Sequence, residues 1–131
     1  MQIRVIELLD IPNWIRERAI GEGILINNKC KYYGAFIDEV MVGFCGILFY
    51  QDSALLKCLY VLLEYRNQGI GSALVVFQLK EIGGKGIDRA IAHCTLNSLS
   101  IYQRYGAEIV QKYKNGITKV KYENLSQSIC L

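Results

Sequence analysis

The sequence predicts a mixed α+β domain with a mostly antiparallel central sheet, one parallel βαβ pair and flanking helices. The apolar patterns between residues 2 and 122 follow the order β, α, β, β, β, α, β, α, β, β. One helical pattern lies between two apolar strands, which predicts a parallel pair joined by a right-handed crossover. Asn115-Gly116 separates two further strand patterns and predicts a closing hairpin. A dinucleotide-binding fold of repeated βαβ units does not fit this order.

The first half of the chain is predicted to form one strand, a short helix and three more strands. Residues 2–8 are rich in β formers. Asp10 is placed to cap the helix, which has Pro12 in its first turn and ends near Gly21. The three later strands are bounded by turn residues and cover 31–37, 40–50 and 55–62. The last of them is apolar on both faces, which predicts a central position in the sheet.

The second half carries the crossover unit and the hairpin. The helix that follows Gly69 has apolar residues at helical spacing and ends at Gly83-Gly84. We expect the remaining elements to be a strand over 88–94, a helix over 99–105 capped by Ser98, and hairpin strands over 107–114 and 117–122. Residues 125–131 are expected to be a loose tail of a single domain spanning 1–131.

Composition excludes several classes of protein. The chain has 131 residues and is 52% hydrophobic and 21% charged, which fits one folded domain and excludes disorder. A net charge of +3 without a block of consecutive Lys or Arg disfavours a nucleic-acid partner. No apolar run reaches the ~18 residues of a membrane span, and no signal peptide is visible. Five cysteines without a CxxC pair predict reduced thiols, a cytoplasmic protein and no metal site.

The segment over 61–74 predicts an anion-binding site. A short polar loop with Gly69 and Gly71 leads from an apolar strand into a helix. The first backbone N–H groups of a helix have no intrahelical partner, and they lie at its positive end, so this geometry binds phosphate or pyrophosphate. Glycine lets the backbone approach the anion closely. The alternative is a plain tight turn.

Two blocks of sequence resemble one enzyme family. Arg66-Asn67-Gln68-Gly69-Ile70-Gly71 is similar to the Arg/Gln-x-x-Gly-x-Gly/Ala signature of the GNAT N-acetyltransferase family. The block over 97–108, which begins with Asn97 and contains Tyr102 and Gly106, resembles that family's Asn-x-x-Ala-x-x-x-Tyr-x-x-x-Gly-Phe stretch. The resemblance covers roughly residues 40–122. The chain departs from it at Ala107, where an aromatic residue usually stands, and at Lys57, where some members carry a Glu.

The resemblance implies transfer of an acetyl group from acetyl-CoA to a primary amine, by direct attack in a ternary complex. The amine would belong to a small molecule or a protein. By this resemblance, amides of 68–73 hold the pyrophosphate, the chain over 59–61 pairs with the pantetheine arm, and an N–H near Val61 stabilises the oxyanion. The implied cofactor-binding residues are Leu59, Tyr60, Val61, Arg66, Asn67, Gln68, Gly69, Ile70, Gly71, Ser72, Ala73, Asn97 and Tyr102. The alternative is a non-catalytic acyl-CoA-binding module of the same fold.

The catalytic candidates are Tyr102 and His93. The resemblance places Tyr102 near the sulfur as a general acid, and a Tyr packed on its helix is the alternative. Because the central strand has Lys57 and no acid, the general base is unassigned. His93 is a candidate because it is the only histidine of the chain, although a lone His on an apolar strand is more often structural. Cys94 cannot easily pair with it, since neighbours on a strand point to opposite faces.

Two further expectations concern the surroundings of the site. Glu64 is expected to form a surface salt bridge. The segment before Gly21 is short where the family often has two helices, which suggests an open cleft and an acceptor on a large molecule. Exposed strand edges at the C-terminus are compatible with a homodimer.

Overall fold

A computed structural model describes residues 1–128 of the chain. Within this part it has seven strands and four α-helices: β1 (Gln2–Ile6), α1 (Asn13–Gly21), β2 (Lys31–Ile37), β3 (Val40–Phe49), β4 (Ser53–Val61), α2 (Ile70–Gly84), β5 (Arg89–Cys94), α3 (Leu96–Arg104), β6 (Glu108–Lys112), β7 (Thr118–Tyr122) and α4 (Leu125–Ser128). Short 3-10 turns cover Leu8–Asp10 and Leu63–Tyr65.

The strands form one sheet in the order β1-β2-β3-β4-β5-β7-β6. All neighbours are antiparallel except β4 and β5, which are parallel and are joined through α2. This confirms the predicted mixed α+β class with one parallel βαβ pair. Strand β4 is central, as its two apolar faces predict.

Both ladders of β4 break at nearly the same place. The β3–β4 register passes from Gly46↔Lys57 to Phe44↔Tyr60, so β4 carries an extra residue there. Cys58 lies in this bulge with a φ of 57°. The parallel β4–β5 ladder runs only as far as Leu56↔Ala92. Among the described residues, the edge of β4 that faces β5 therefore has no strand partner over 57–61, and a gap opens between the two parallel strands.

The two faces of the sheet bury different cores. Helices α2, α3 and α4 cover one face, where Leu74 and Val75 of α2 pack against β-strand residues such as Cys45 and Ala92. Helix α1 covers the other face through Ile15. The smaller core on this second face consists of Ile11, Ile15, Ala19, Tyr32, Met41, Phe44, Tyr60 and Leu62.

Two helix starts differ from the sequence prediction. Asp10 does not cap α1, because its carboxylate accepts a hydrogen bond from the Glu7 N–H (2.8 Å) and closes the preceding 3-10 turn. Helix α1 begins at Asn13, directly after Pro12. Helix α3 begins at Leu96, and its N-cap residue is Thr95 rather than Ser98. The start of α3 was predicted too far along the chain, because the strand pattern of β5 continues to its junction with α3.

The loose tail expected over 125–131 is wrong for 125–128. These residues form α4, Leu125 is buried at 4% exposure, and the Ser126 N–H donates to Asp88 Oδ1 (3.1 Å). Leu125 joins the larger core, which a tail without tertiary contacts would not do. Residues 129–131 lie outside the described part of the chain.

Candidate active site

The turn before α2 has the backbone conformation that its sequence requires. Asn67 and Gly69 have φ values of 63° and 84°, in the left-handed region that Asn and Gly tolerate best. Gly69 is the N-cap residue of α2, and no side chain caps the helix. Its carbonyl accepts a hydrogen bond from the Ala73 N–H (3.0 Å). The turn thus passes directly into a fifteen-residue helix.

The backbone N–H groups of residues 68–72, here called the amide turn, have no hydrogen-bond acceptor among residues 1–128. They lie at the positive end of the α2 dipole, where an anion is most stabilised. The Ala73 N–H, which is also predicted to hold the pyrophosphate, is bonded here to the Gly69 carbonyl, so its contact with a ligand stays a prediction. The N–H groups of residues 68–72 are thus unbonded at the start of a helix.

Gly71 lies in this turn close to a side chain of α3, which limits the space for a Cβ. A Cβ built on Gly71 would lie 3.1 Å from Cδ1 of Ile101 on α3. A Cβ here would require the end of the Ile101 side chain to shift by a few tenths of an ångström, and a longer side chain would extend into the adjacent cleft, which Gly71 and Ile101 both line. Glycine at this position keeps the helix start accessible to a ligand.

A cleft of about 360 Å³ lies where β4 and β5 separate. Seven of the residues predicted to bind the cofactor line it: Leu59, Tyr60, Val61, Arg66, Asn67, Gly71 and Asn97. The cleft therefore joins the unpaired edge of β4 to the beginning of α2. Five further lining residues were not predicted: Glu22, Ile24, Thr95, Ser98 and Ile101.

The other predicted binding residues do not present side chains to this cleft. Ile70 is buried in the larger core. The Ser72 hydroxyl accepts a hydrogen bond from Arg104 Nη1 (3.2 Å). Within the amide turn, Gln68, Gly69, Ile70 and Ser72 thus offer backbone N–H groups rather than lining side chains.

Three side chains on the cleft wall form a second feature, the Glu22 cluster, which consists of Glu22, Tyr60 and Arg66. The Glu22 carboxylate accepts hydrogen bonds from Tyr60 Oη (2.9 Å) and from Arg66 Nη2 (2.7 and 2.9 Å to its two oxygens). Arg66 Nε also donates to the Val61 carbonyl (2.9 Å). The cluster ties the end of α1 to β4 and to the loop before α2.

Electrostatics keep Glu22 ionised and Tyr60 protonated. Burial raises the pKa of Glu22, but hydrogen bonds from Arg66 and Tyr60 and the Arg66 charge outweigh it, so the net pKa lies below its ordinary value. Burial and the hydrogen bond to Glu22 raise the pKa of Tyr60. A carboxylate with a lowered pKa is a poor proton acceptor and a suitable partner for a cation.

Sequence reasoning missed Glu22 because its role depends on tertiary contacts. It lies 38 residues from Tyr60 and 44 from Arg66 along the chain. No local spacing connects a residue at the end of α1 with a strand and a loop so distant. Thr95 had a weaker signal, since a Thr that follows an apolar strand and precedes a helical pattern is a good N-cap residue.

Tyr102 lies behind the cleft wall. Its side chain is 3% exposed, does not line the cleft, and donates a hydrogen bond from its hydroxyl to Gln78 Oε1 (3.2 Å). Burial raises the pKa of Tyr102 far above the ordinary value of a tyrosine. The hydroxyl is therefore protonated, but its hydrogen is engaged by Gln78. Its action as a general acid at the sulfur stays a prediction.

His93 does not reach the cleft. Its neighbours Ala92 and Cys94 are buried in the larger core, whereas His93 points to the opposite face and is exposed. Its ring centroid lies 6.4 Å from that of Tyr113. This position gives no support to the prediction of His93 as the general base.

Two smaller predictions concern Cys94 and Glu64. Burial raises the pKa of Cys94 to about 11, which keeps it a thiol and agrees with its rejection as a nucleophile. Glu64 forms the expected surface salt bridge, with two hydrogen bonds from Arg18 Nη1 (3.0 and 3.1 Å).

Comparison with known proteins identifies the family. The family model described as acetyltransferase (GNAT) domain matches residues 28–106, which is more than half of the chain. The chain therefore belongs to the GNAT acetyltransferase family, as the two sequence blocks indicate. None of the helices in the described residues has the length and apolar character needed to cross a membrane.

One curated relative is the spermidine N(1)-acetyltransferase of Thermoplasma acidophilum, which is 32% identical over 84 residues. The match covers 59% of this chain and 52% of the relative, so the chain spans about half the length of that protein.

Solved structures agree on the fold. The ribosomal-protein-S18-alanine N-acetyltransferase of Escherichia coli is 15% identical, with a TM-score of 0.74 over 93% of this chain and 92% of its own. The PaiA N-acetyltransferase of Thermoplasma acidophilum, solved in complex with coenzyme A, is 19% identical, with a TM-score of 0.66 over 94% of this chain and 99% of its own.

Proposed function

We propose that the protein transfers an acetyl group from acetyl-CoA to a primary amine. One observation carries this proposal: the unpaired edge of β4 and the amide turn meet in a single cleft. An anion site alone would fit many phosphate ligands. An anion site at the end of a free strand edge fits a ligand with a diphosphate and a long amide-containing arm, which coenzyme A has.

In this proposal, the donor binds mainly to backbone groups. The diphosphate lies at the amide turn, and the pantetheine amides pair with the chain over 59–61 as a missing strand would. Asn97 and Ser98 at the start of α3 line the opposite side of the arm. A backbone N–H near Val61 then stabilises the negative charge that develops on the thioester oxygen.

The reaction follows from this placement. The neutral amine nitrogen attacks the thioester carbon, and the oxygen becomes an oxyanion. The oxyanion then collapses and breaks the C–S bond. The nitrogen loses one proton and the departing thiolate gains one, which yields an N-acetyl amine and free coenzyme A. No covalent enzyme intermediate is required, and burial of Cys94 and Cys45 raises the pKa of both thiols.

The Glu22 cluster supports an amine as the acceptor. Its carboxylate is ionised, partly exposed at 44% of the side chain, and fixed on the cleft wall by two donors. A protonated amine entering the cleft would be attracted to it before losing its proton. The curated relative acts on spermidine by its name, so a polyamine is the first acceptor to test. A protein amine is the second, as the shortened N-terminal segment suggests.

Thiol release tests the proposal directly. We expect coenzyme A to be released when the protein is mixed with acetyl-CoA and one member of a panel of polyamines, amino acids and amine-bearing peptides. The alternative is a non-catalytic module that binds acyl-CoA. It is favoured by Lys57, which replaces the strand carboxylate of some family members. Submicromolar binding of coenzyme A with no release above the buffer rate on any acceptor would establish the module instead.

A further inference from the structure

We propose that Gln78 is a positioning residue for acetyl transfer, which locks the bulge of β4, and that Tyr102 acts through Gln78 rather than on the substrate. This inference rests on the proposed function. It assigns a role to Gln78, which lies outside both motif blocks, and gives Tyr102 a role different from the one that the resemblance implies.

Gln78 is the largest buried polar side chain among the described residues, and it has no exposed surface. It extends from the middle of α2 toward the sheet. Its Nε2 donates to the Gly46 carbonyl (2.9 Å) and lies 3.4 Å from the Lys57 carbonyl. A buried amide is retained in an apolar core only when such partners compensate for its lost hydration.

The two carbonyls that Gln78 contacts flank the break in the sheet. Gly46 and Lys57 are the last residues in register before the bulge, and Leu56 is the last β4 residue paired with β5. A bulge disrupts the ladder beside it, so a donor from outside the ladder stabilises the carbonyls at its edge. Gln78 supplies that donor and holds the chain just before the strand edge that the pantetheine arm would meet.

Tyr102 fixes the direction of the Gln78 amide. An amide side chain can present either its oxygen or its nitrogen, and only one orientation places Nε2 at the carbonyls. The Tyr102 hydroxyl donates to Oε1 (3.2 Å), which selects that orientation. The hydroxyl can do so only while it is protonated, in agreement with its burial. Tyr102, which lies 24 residues after Gln78 in the chain, therefore supports the bulge through Gln78.

The same helix also begins at the amide turn. Gln78 lies two turns after Gly71 on α2, so one rigid element fixes both the diphosphate donors and the bulge. This link sets the distance between the two ends of the donor site. A small error in that distance would misplace the thioester carbonyl relative to its N–H donor, and misplacement on the order of 1 Å costs about 100-fold in rate.

The test is a double-mutant cycle of Gln78→Leu and Tyr102→Phe, measured with acetyl-CoA and the best acceptor of the panel. We expect Gln78→Leu to lower kcat by about 10–100-fold, with less than about threefold change in the dissociation constant of coenzyme A. Tyr102→Phe should lower kcat less, and the double variant should be no slower than Gln78→Leu. The proposal would be overturned if the two single variants lose kcat equally and these losses multiply in the double variant. Direct proton donation by Tyr102 would give that result, because it does not depend on Gln78.

The conservative variant Gln78→Glu gives a second readout. As a neutral acid it can donate to one carbonyl and accept from Tyr102, but as a carboxylate it repels both carbonyls. We expect its kcat to rise as the pH falls, relative to wild type at the same pH. A ratio that does not change with pH contradicts the positioning role. Ile82→Ala, one turn further along α2 and fully buried, is the control for a general loss of stability.

Hydrogen exchange separates this inference from the proposed function. In ligand-free protein, Gln78→Leu should speed exchange of the amides over 58–61 by at least about tenfold relative to Ile82→Ala, while the β1–β2 amides are unchanged. If wild type binds coenzyme A without turnover, the proposed function fails. The exchange measurement still tests whether Gln78 holds the bulge of β4. Unchanged exchange at the bulge would overturn the proposed role of Gln78 even if the enzyme is active.

Discussion

The amide turn and the Glu22 cluster lie on the same cleft, but one is made of backbone and the other of side chains. The amide turn uses five consecutive residues, 68–72, at the start of a helix. The Glu22 cluster draws on the end of α1, the middle of the sheet and a loop. The first needs correct local conformation, whereas the second needs three distant segments to pack together.

This difference explains which part of the site can vary. A backbone site has few sequence solutions, because only small residues fit where the ligand or a neighbouring side chain approaches closely, as at Gly71. A side-chain cluster can be rebuilt from other residues at other positions. A site divided in this way would keep the same acetyl donor while its acceptor varies. The amide turn and the Glu22 cluster can also be altered separately.

The largest expected effect comes from placing charge in the amide turn. We predict that Gly71→Glu lowers the affinity for coenzyme A by at least about 100-fold, because the side chain enters the cleft and its carboxylate repels the diphosphate. Isothermal titration calorimetry measures the loss.

The matched control is Gly84→Glu, at the other end of the same helix, where a new Cβ has no heavy atom within 4 Å. It adds the same charge and should change the affinity by less than about twofold. Similar losses in both variants would mean that the ligand does not bind at the amide turn.

The next effect separates the two regions. We predict that Glu22→Gln raises KM for the amine by about tenfold and leaves the dissociation constant of coenzyme A within about twofold, because the carboxylate is lost but the backbone donors remain. Steady-state kinetics with a varied acceptor measures it.

Glu17→Gln is the control for this variant, since Glu17 is an exposed residue of α1 and does not line the cleft. A larger change in coenzyme A binding than in acceptor KM would show that the cluster serves the donor side.

A smaller effect concerns stability and pH. The folded-state pKa of Glu22 lies below its ordinary value of 4.5, so the ionised carboxylate stabilises the fold above that pH, and the stabilisation is lost as pH falls through the lowered pKa. Because the pair is partly exposed, we expect Glu22→Gln to lower the free energy of unfolding by at most about 1 kcal/mol at pH 7.

Urea denaturation at pH 7 and at pH 3 measures this difference. The gap between wild type and Glu22→Gln should shrink at the lower pH. A gap that grows instead would mean that Glu22 is destabilised by its burial and that its pKa is raised.

The smallest effect is expected at His93. We predict that His93→Gln changes kcat/KM by less than about twofold at any pH between 6 and 9, because the side chain is exposed and does not line the cleft. A loss of tenfold or more would restore His93 as the general base.

Sequence patterns were sufficient for most of the elements and for the run of unbonded amides before α2. Period-2 and helical spacing placed the strands and α2 to within a few residues, and the glycines before α2 indicated the anion site. Elements were misplaced where local signals competed: α3 began earlier than Ser98 suggested, and α4 formed where the sequence carries little helical pattern. Leu125 is held there by tertiary burial.

The sequence by itself determined the order of elements, the crossover and the run of free amides at residues 68–72, because each depends on neighbouring residues and on backbone conformation. Only the tertiary structure decided that Glu22 meets Tyr60 and Arg66, that His93 lies outside the cleft lining, and that Tyr102 bonds to Gln78. These contacts join residues far apart in the chain, and they follow from how the helices pack on the two faces of the sheet, which no local pattern encodes.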